Sequence, residues 1–425
     1  MKQLFQILII IIIITPLTTS QWYVVHPLGK TNLKSVCYSV DNDVFVIDDR
    51  GFLNFSTDQG TNWFEIQIAS NTSLNSITFA EYSVSYIVGN RGNIFISETN
   101  WKDWKDISVD DYFHLNDVQF ITNGRGVTVG SKEVVIDGRT YFLPSIHITT
   151  SYGFEWKEIQ FDFRGKLNSV AYSQKGLIIA VGDTGLMLYS TDFGKTWSQE
   201  YLRTDNNLNS VKLCPDNTII IAGDRGSFYY SDYPGEKWKK IQLPEYYNIK
   251  SACFKEKGVI VAAGTKYMEK ENNSFTLAAL LRIDVETNKW SEEFAKIYGK
   301  YNSVSFCNPE TAMAVGDHGI ITLYNYPTTF EDPYNSTNKN FDLYQNHPNP
   351  FNPLTVIIYH LPVSSDVTLK VFDIIGNEIA TIVNEKQSAG TYEVQFNAGH
   401  LSSGVYVYQL NAENYTTVKK MLLIK

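Results

Sequence analysis

Apolar residues in this chain recur in short, partly alternating runs separated by turns rich in Gly, Asn, Asp and Ser. That is the pattern of half-buried antiparallel strands, not of helices. Residues 167–201 show the unit. Leu167-Asn-Ser-Val-Ala-Tyr-Ser173 reads as a strand, Gln174-Lys-Gly176 as a turn and 177–181 as a second strand. Gly182-Asp-Thr-Gly185 turns the chain again, with glycine where positive φ is needed. Residues 186–189 make the third strand, 190–195 the third turn, and Trp197 begins the fourth strand.

The unit repeats on a fixed ruler. Tryptophan recurs at Trp22, Trp63, Trp104, Trp156, Trp197, Trp238 and Trp290, in steps of 41, 41, 52, 41, 41 and 52 residues. Thirteen residues after each stands Ser35, Ser76, Asp117, Ser169, Ser210, Ser251 or Ser303. Five of the seven follow an Asn, and five have Leu one step earlier, as in Leu74-Asn-Ser-Ile77. Thirteen more residues lead to a turn: Asp48-Asp-Arg-Gly51, Gly89-Asn-Arg-Gly92, Gly182-Asp-Thr-Gly185, Gly223-Asp-Arg-Gly226 and Gly316-Asp-His-Gly319. Gly130 and Gly264 hold that register in the two longer copies.

Four short antiparallel strands per roughly 41 residues make a propeller blade. A lone sheet of that size cannot bury both faces, so the blades stack in a ring. The seventh copy has its turn and third strand, but no Trp follows; the missing one is Trp22, at the proper distance from Ser35. The expected fold is therefore all-β. A seven-bladed β-propeller spans 21–328, and its N-terminal strand closes the last blade, which ties the ends of the ring and hides edge strands that would otherwise template aggregation.

Two of the turns before Trp, Ser56-Thr-Asp-Gln-Gly-Thr-Asn-Trp63 and Ser190-Thr-Asp-Phe-Gly-Lys-Thr-Trp197, match S-x-D-x-G-x-x-W, which resembles the Asp-box. Asp58 and Asp192 read as caps on tight hairpins and the seven tryptophans as wedges between blades, all structural. With its GDxG turns, this region resembles the photosystem II assembly and stability factors and, more widely, sialidase-type repeats. The resemblance implies the fold; function does not transfer with it.

After Tyr326 the repeat stops. Residues 329–342 are a polar linker, and 343–425 carry strands expected at 355–361, 367–372, 392–396, 405–410 and 418–424, a small Ig-like β-sandwich. Here stand Pro348, Asn349, Pro350, Phe351, Asn352 and Pro353 in one run, then Val371-Phe-Asp-Ile-Ile-Gly376, Leu401-Ser-Ser-Gly404-Val-Tyr406 and a terminal Lys419-Lys-Met-Leu-Leu-Ile-Lys425. The segment resembles the type A sorting domain of the type IX secretion system. That resemblance implies the secretion machinery as a partner and delivery across the outer membrane, to the medium or the cell surface.

Residues 1–20 fit such export: Lys2, an apolar run over 4–14 and Thr18-Thr-Ser20 form a signal-peptide pattern. A formal charge of −9 argues against nucleic acid as a partner. Cys37, Cys214, Cys253 and Cys307 form no CxxC pair and read as buried free thiols. No metal or cofactor motif appears.

Function is expected on one face of the ring. Both long copies gain their extra residues between the second and third strands, read as loops over 131–144 and 265–278. Strand alternation puts these loops beside Arg50, Arg91, Arg225 and His318 in the short turns, with Lys132, Arg139, Lys266 and Lys270 in the long ones. Tyr112, Phe113, Tyr201, Tyr246, Tyr247 and Tyr301 lie in the connections between blades. Arginine beside tyrosine suits a protein, peptide or glycan ligand. The candidate binding set is Arg50, Arg91, Arg225, His318, Arg139, Lys266, Tyr246 and Tyr247. The competing class is a glycoside hydrolase or sialidase-like enzyme, which needs paired carboxylates or a tyrosine nucleophile with an arginine cluster. Its F/Y-R-I-P motif is absent and the arginines sit on separate repeats, so a non-enzymatic scaffold is expected.

Overall fold

The computed structural model describes residues 22–25, 31–60, 62–81, 84–99, 101–215, 218–234, 237–270, 273–324, 341–343, 346, 351–413 and 415–424. The signal-peptide segment, most of the linker, and Pro348, Asn349 and Pro350 lie outside them. The chain divides into two compact units, Met1–Tyr326 and Pro327–Lys425.

The first unit holds seven four-stranded antiparallel sheets among the described residues. Six are consecutive in the chain, beginning with Leu33–Tyr38, Val44–Asp48, Phe52–Ser56 and Phe64–Gln67. The seventh combines Tyr301–Asn308, Thr311–Gly316 and Ile321–Tyr324 with Trp22–Val25 from the other end of the propeller. Trp22 pairs with Tyr324 and Val25 with Ile321. First strands of successive sheets pack side by side in ring order, and the last meets the first. Second strands such as Val44–Asp48 and Ile219–Gly223 are buried at every position, because each lies between two neighbouring sheets. The ring is closed.

Trp22 is the rivet. Its indole packs 5.0 Å from the Tyr324 ring and 6.3 Å from Phe306, and its Nε1–H donates to Glu293 Oε2 of the sixth sheet at 2.7 Å.

The Leu-Asn-Ser motif proves to be a β-bulge. In the fourth sheet Leu167 pairs with Gly182 and Ser169 with Val181, so Asn168 is the extra residue. The same shift recurs in the other six sheets, for example at Leu208/Ser210 and Tyr301/Ser303. Freed from the ladder, the Asn amide reaches the next sheet. Asn75, Asn116, Asn168, Asn209 and Asn302 donate to the carbonyls of Leu115, Leu167, Leu208, Ile249 and Leu33 at 2.7–3.0 Å. The Ser hydroxyls add a second link. Val211, Ala252, Val304 and Val36 donate N–H to Ser169, Ser210, Ser251 and Ser303 of the preceding sheets. Asp117, in the serine position of the third sheet, accepts from both Ser76 and Ser169. The bulge also explains the glycine opposite it in six of the seven sheets: a Cβ on Gly182 would stand 1.9 Å from the Lys166 carbonyl oxygen.

Two expectations need correction. Residues 131–144 and 265–278 are not loops but continuations of strands Arg125–Ile136, Arg139–Thr149, Val259–Lys270 and Asn273–Asp284, forming long hairpins. Asp137 and Gly138 both take positive φ at the first tip, the two-residue turn that Asp-Gly favours. Most tryptophans also lie just before or inside the fourth strand rather than opening it, since Trp63 and Trp197 precede Phe64–Gln67 and Ser198–Tyr201.

The second unit is a sandwich of a three-stranded and a four-stranded sheet. Asp342–Leu343, Leu354–Leu361 and Gly390–Asn397 form one; Glu378–Gln387, Ser365–Phe372, Gly404–Ala412 and Tyr415–Leu423 form the other. Strand Glu378–Gln387 was not expected, because its second half, Asn384-Glu-Lys-Gln387, is polar and exposed at a sheet edge.

Replacing Trp22 by Ala is expected to cost about 3–5 kcal/mol of propeller stability in urea unfolding. The exposed change Val40→Ala should cost under about 0.5 kcal/mol. Equal midpoints for the two would show that the N-terminal strand does not close the ring.

Candidate binding face

The short turns owe their geometry to the sheet that follows. Arg91–Gly92, Thr184–Gly185, Arg225–Gly226 and His318–Gly319 are all left-handed at both residues, which is the type I′ hairpin turn. A left-handed Arg or His is disfavoured by itself. Hydrogen bonds to the next sheet offset that cost. Gly92, Gly226 and Gly319 each donate N–H at 2.7 Å to the carbonyls of Phe113, Tyr247 and Thr31. Arg225 and His318 donate theirs to the side-chain oxygens of Asn248 and Asn32. A Cβ on Gly226 would meet the Leu243 carbonyl at 2.4 Å. Each exposed side chain therefore stands on a pinned platform.

Arg50 departs from this pattern. Asp48 occupies the place of the first glycine, and its buried carboxylate accepts from the Arg50 and Phe52 N–H groups, from Thr31 Oγ1 and from the Arg50 guanidinium at 2.8 Å. That guanidinium also lies 4.9 Å over the Phe52 ring. Arg50 is largely committed to the fold.

Most other cations on the face are neutralised. Arg225 pairs with Glu245 at 3.1 Å, Lys250 with Asp224 at 2.8 Å and Lys300 with Asp317 at 3.3 Å. Arg91 is exposed and makes no ion pair among the described residues. Ring order divides the candidate set as well. His318, Arg50 and Arg91 stand on three consecutive sheets, the seventh, first and second, between the long hairpins of the sixth and third. Arg225 lies on the fifth, beyond those walls. The candidate arginines, expected on separate repeats, thus fall in two sectors of the ring. Arg139 sits at the tip of the third-sheet hairpin, paired in register with Ile136 and exposed.

At the roots of both hairpins lies a constellation not recognised from the sequence. Lys132 pairs with Glu158 at 2.8 Å and sits 5.3 and 5.2 Å over the rings of Tyr112 and Phe113. Lys266 pairs with Glu292 at 2.8 Å and sits 5.9 Å over both Tyr246 and Tyr247. Each residue of the second set lies 134 positions after its counterpart, the sum of one long and two short repeats. That spacing was the available signal. Lys266 is thus tied to Glu292 rather than free.

The aromatic residues divide by burial. Tyr112, Tyr201 and Tyr246 are exposed, whereas Phe113, Tyr247 and Tyr301 are core. Tyr247 is a correction to the candidate set. It opens its inner strand and packs 5.8 Å from Trp290, and its hydroxyl donates to Glu292. Burial, reinforced by Glu292, pushes that phenol well above its ordinary range. Lys270 has no described side chain.

His147 lies in the third-sheet hairpin, edge-on to Phe113 at 4.5 Å. Burial holds its pKa down at about 4. Its counterpart in the sixth sheet is the fully buried Leu281.

The opposite face carries the hairpins before Trp. Ser56 Oγ donates to Asp58 and accepts from Gly60 N–H, Asp58 accepts from Asn62 N–H, and Trp63 Nε1 donates to the Gly60 carbonyl. Ser190, Asp192, Gly194, Thr196 and Trp197 repeat these contacts. The Thr196 amide and hydroxyl hold the Asp192 carboxyl down at about 2. All four cysteines are free; Cys214 is buried and the others partly so. Burial pushes the Cys37 and Cys253 thiols up, so both stay protonated at neutral pH.

Comparison with known proteins places both units. Residues 345–425 match the family of secretion system C-terminal sorting domains. The second unit is a sorting domain. Of the motif that carries this match, Phe351 is buried and bonded to the last strand through Leu422 and Ile424; Asn352 is exposed and Pro353 half-buried. Gly376 is left-handed in a turn, and Gly404 pairs with Leu423.

The propeller resembles solved structures titled YCF48 bound to D1 peptide and YCF48 from Cyanidioschyzon merolae. Identities are 17% and 15%, TM-scores 0.57 and 0.54; the matches cover 73% and 72% of this chain and 98% of each of those. The WD40 repeats of RRP9 match at 9% identity and a TM-score of 0.56, over 72% of this chain and 97% of that one. At such identities the likeness is one of fold. No curated protein sequence matches the chain.

Unfolded histidine gains a proton near pH 6.5, while folded His147 stays neutral to about 4. Its contribution is therefore unaffected above 6.5 and destabilises as pH falls through that window, by up to about 3 kcal/mol. His147→Leu, which installs the residue of the sixth sheet, should flatten the pH dependence of the unfolding midpoint between pH 7 and 4. An unchanged slope would rule out a buried neutral imidazole.

Proposed function

We propose that this protein is an exported scaffold, secreted or attached at the outer-membrane surface, whose propeller binds a protein or peptide through the sector between its two long hairpins. The observation that carries this is Arg91. It is an exposed guanidinium without an ion pair among the described residues, held by a pinned turn between two walls. An exposed cation on a fixed turn suits an acidic peptide, because guanidinium pairs with carboxylate in a fixed fork. One structurally similar propeller is titled as bound to a peptide, which supports the class of ligand. Delivery would follow from the sorting domain, whose partner is the secretion machinery.

The reading includes no catalysis. Five carboxylates on this face, Asp48, Glu158, Asp224, Glu292 and Asp317, are engaged in ion pairs, and Asp49 and Asp183 accept hydrogen bonds from Asn32 and Asn168. None is left as half of a free acid–base pair of the kind that glycoside hydrolysis uses.

Titration of the full-length protein with acidic peptides captured from the native cell surface tests the proposal. Arg91→Glu is expected to weaken binding about a hundredfold, in the range of an interface hot spot. Arg50→Glu and Arg225→Glu, at sites already paired, should cost less than about tenfold. Undiminished binding by Arg91→Glu would discard this sector, and turnover of chromogenic glycosides would restore the enzyme class.

A further inference from the structure

In the sorting domain one face of the four-stranded sheet supplies the core, through Leu369, Val371, Tyr406, Tyr408, Met421 and Leu423. Register sets out the other face row by row. Thr368, Asn411 and Thr416 align, then Lys370, Gln409 and Val418, then Phe372, Val407 and Lys420. The last row pairs Val405 with Leu422, beside the turn that follows Phe372. The outer face thus passes from polar at one end to apolar at the other.

That apolar end is exposed. Ile374 and Ile375, in the turn Asp373-Ile-Ile-Gly-Asn377, are 75% and 79% accessible, with Val405, Leu422 and Ile424 partly so. The isoleucines do not hang on a loose loop. Asp373 Oδ1 accepts the N–H groups of Ile375 and Asn377 at 3.0 and 2.9 Å, and Oδ2 accepts Asn377 Nδ2 at 2.9 Å. Gly376 closes the turn with φ 91° and donates N–H to the Asp373 carbonyl. Turn positions favour Gly, Asn, Asp and Ser, and β-branched side chains bring no advantage there. Folding gives these isoleucines nothing to pack against. Contact with another molecule does.

We infer that Ile374 and Ile375, with Val405, Leu422 and Ile424, form the surface by which an apolar site of the secretion machinery grips this domain. The inference rests on the sorting-domain reading and names its contact residues. A second copy of the chain fits less well. Five such side chains offer on the order of a few hundred Å², below the roughly 800 Å² that each partner contributes to a stable interface. A small patch suits a transient partner that must release its cargo.

The test uses the full-length chain in a bacterium that carries the type IX machinery, scoring the fraction found outside the cell against that in the periplasm. Ile374→Asn combined with Ile375→Asn should lower the exported fraction about tenfold or more, as loss of a contact hot spot does. The purified variant should keep the wild-type unfolding midpoint. Leu422→Ser, on the strand rather than the turn, should act in the same direction, and Val418→Asn, two residues away from Lys420 on the mixed row, should be exported normally. Normal export of both patch variants, while removal of residues 345–425 blocks it, overturns the inference and leaves the sorting reading intact. Export of the truncated chain overturns the sorting reading itself. A wild-type dimer in sedimentation that the double variant dissociates would assign the patch to self-association and also overturn the inference.

Discussion

The propeller depends on a hydrogen-bond girdle that runs between sheets, not within them. Each four-stranded sheet satisfies its own ladder and still has no reason to choose a neighbour. The bulge at Leu-Asn-Ser supplies one. By adding a residue to the inner strand it releases an Asn amide, which bonds the backbone of the next sheet, and it sets a Ser hydroxyl where it accepts the N–H of that neighbour. These groups are buried or nearly so, and a buried donor left without a partner costs more than the bond itself contributes. Adjacent sheets are thereby locked in register as well as packed. Trp22 and Glu293 complete the circuit where the chain ends meet.

The girdle reaches the binding face through the same residues. Turn aspartates that hold the Asn amides, as Asp224 holds Asn209 and Asp317 holds Asn302, belong to the turns whose glycines donate to the next sheet. The face is consequently rigid at its rim, and its charge is set by which turn residues are consumed internally. Arg50 is consumed by Asp48 and Arg225 is balanced by Glu245, so residues of one type at equivalent repeat positions differ in availability. Two hairpins rise from this rim, each braced at its root by a lysine between a carboxylate and two aromatic rings. Lysine and carboxylate neutralise each other in each brace.

The sorting domain obeys a different logic. Its stability comes from a two-sheet core, and its turn isoleucines are held outward by polar bonds to Asp373. Rigid exposure of apolar groups is costly in a monomer unless something else uses them. Stability and recognition are thus kept on opposite faces of one sheet.

The sequence by itself determined the repeat, the strand order within each sheet, the closure through Trp22 and the resemblance of the last eighty residues to a sorting domain. All of these rest on local spacing, because strand alternation, glycine turns and a 41-residue ruler are written in neighbouring residues. It did not reveal that the Asn of Leu-Asn-Ser is a bulge, that residues 131–144 and 265–278 continue as strands, or that segment 378–387, with its polar second half, is a strand at all. Nor did it separate Arg91 from Arg50 and Arg225, or the buried Tyr247 from the exposed Tyr246. Those distinctions were decided by tertiary structure. Glu245, which balances Arg225, and Glu292, which holds Tyr247, lie 20 and 45 residues away in sequence and leave no mark on local pattern. Even Asp48, two residues from Arg50, acts as its partner only because the fold buries that carboxylate.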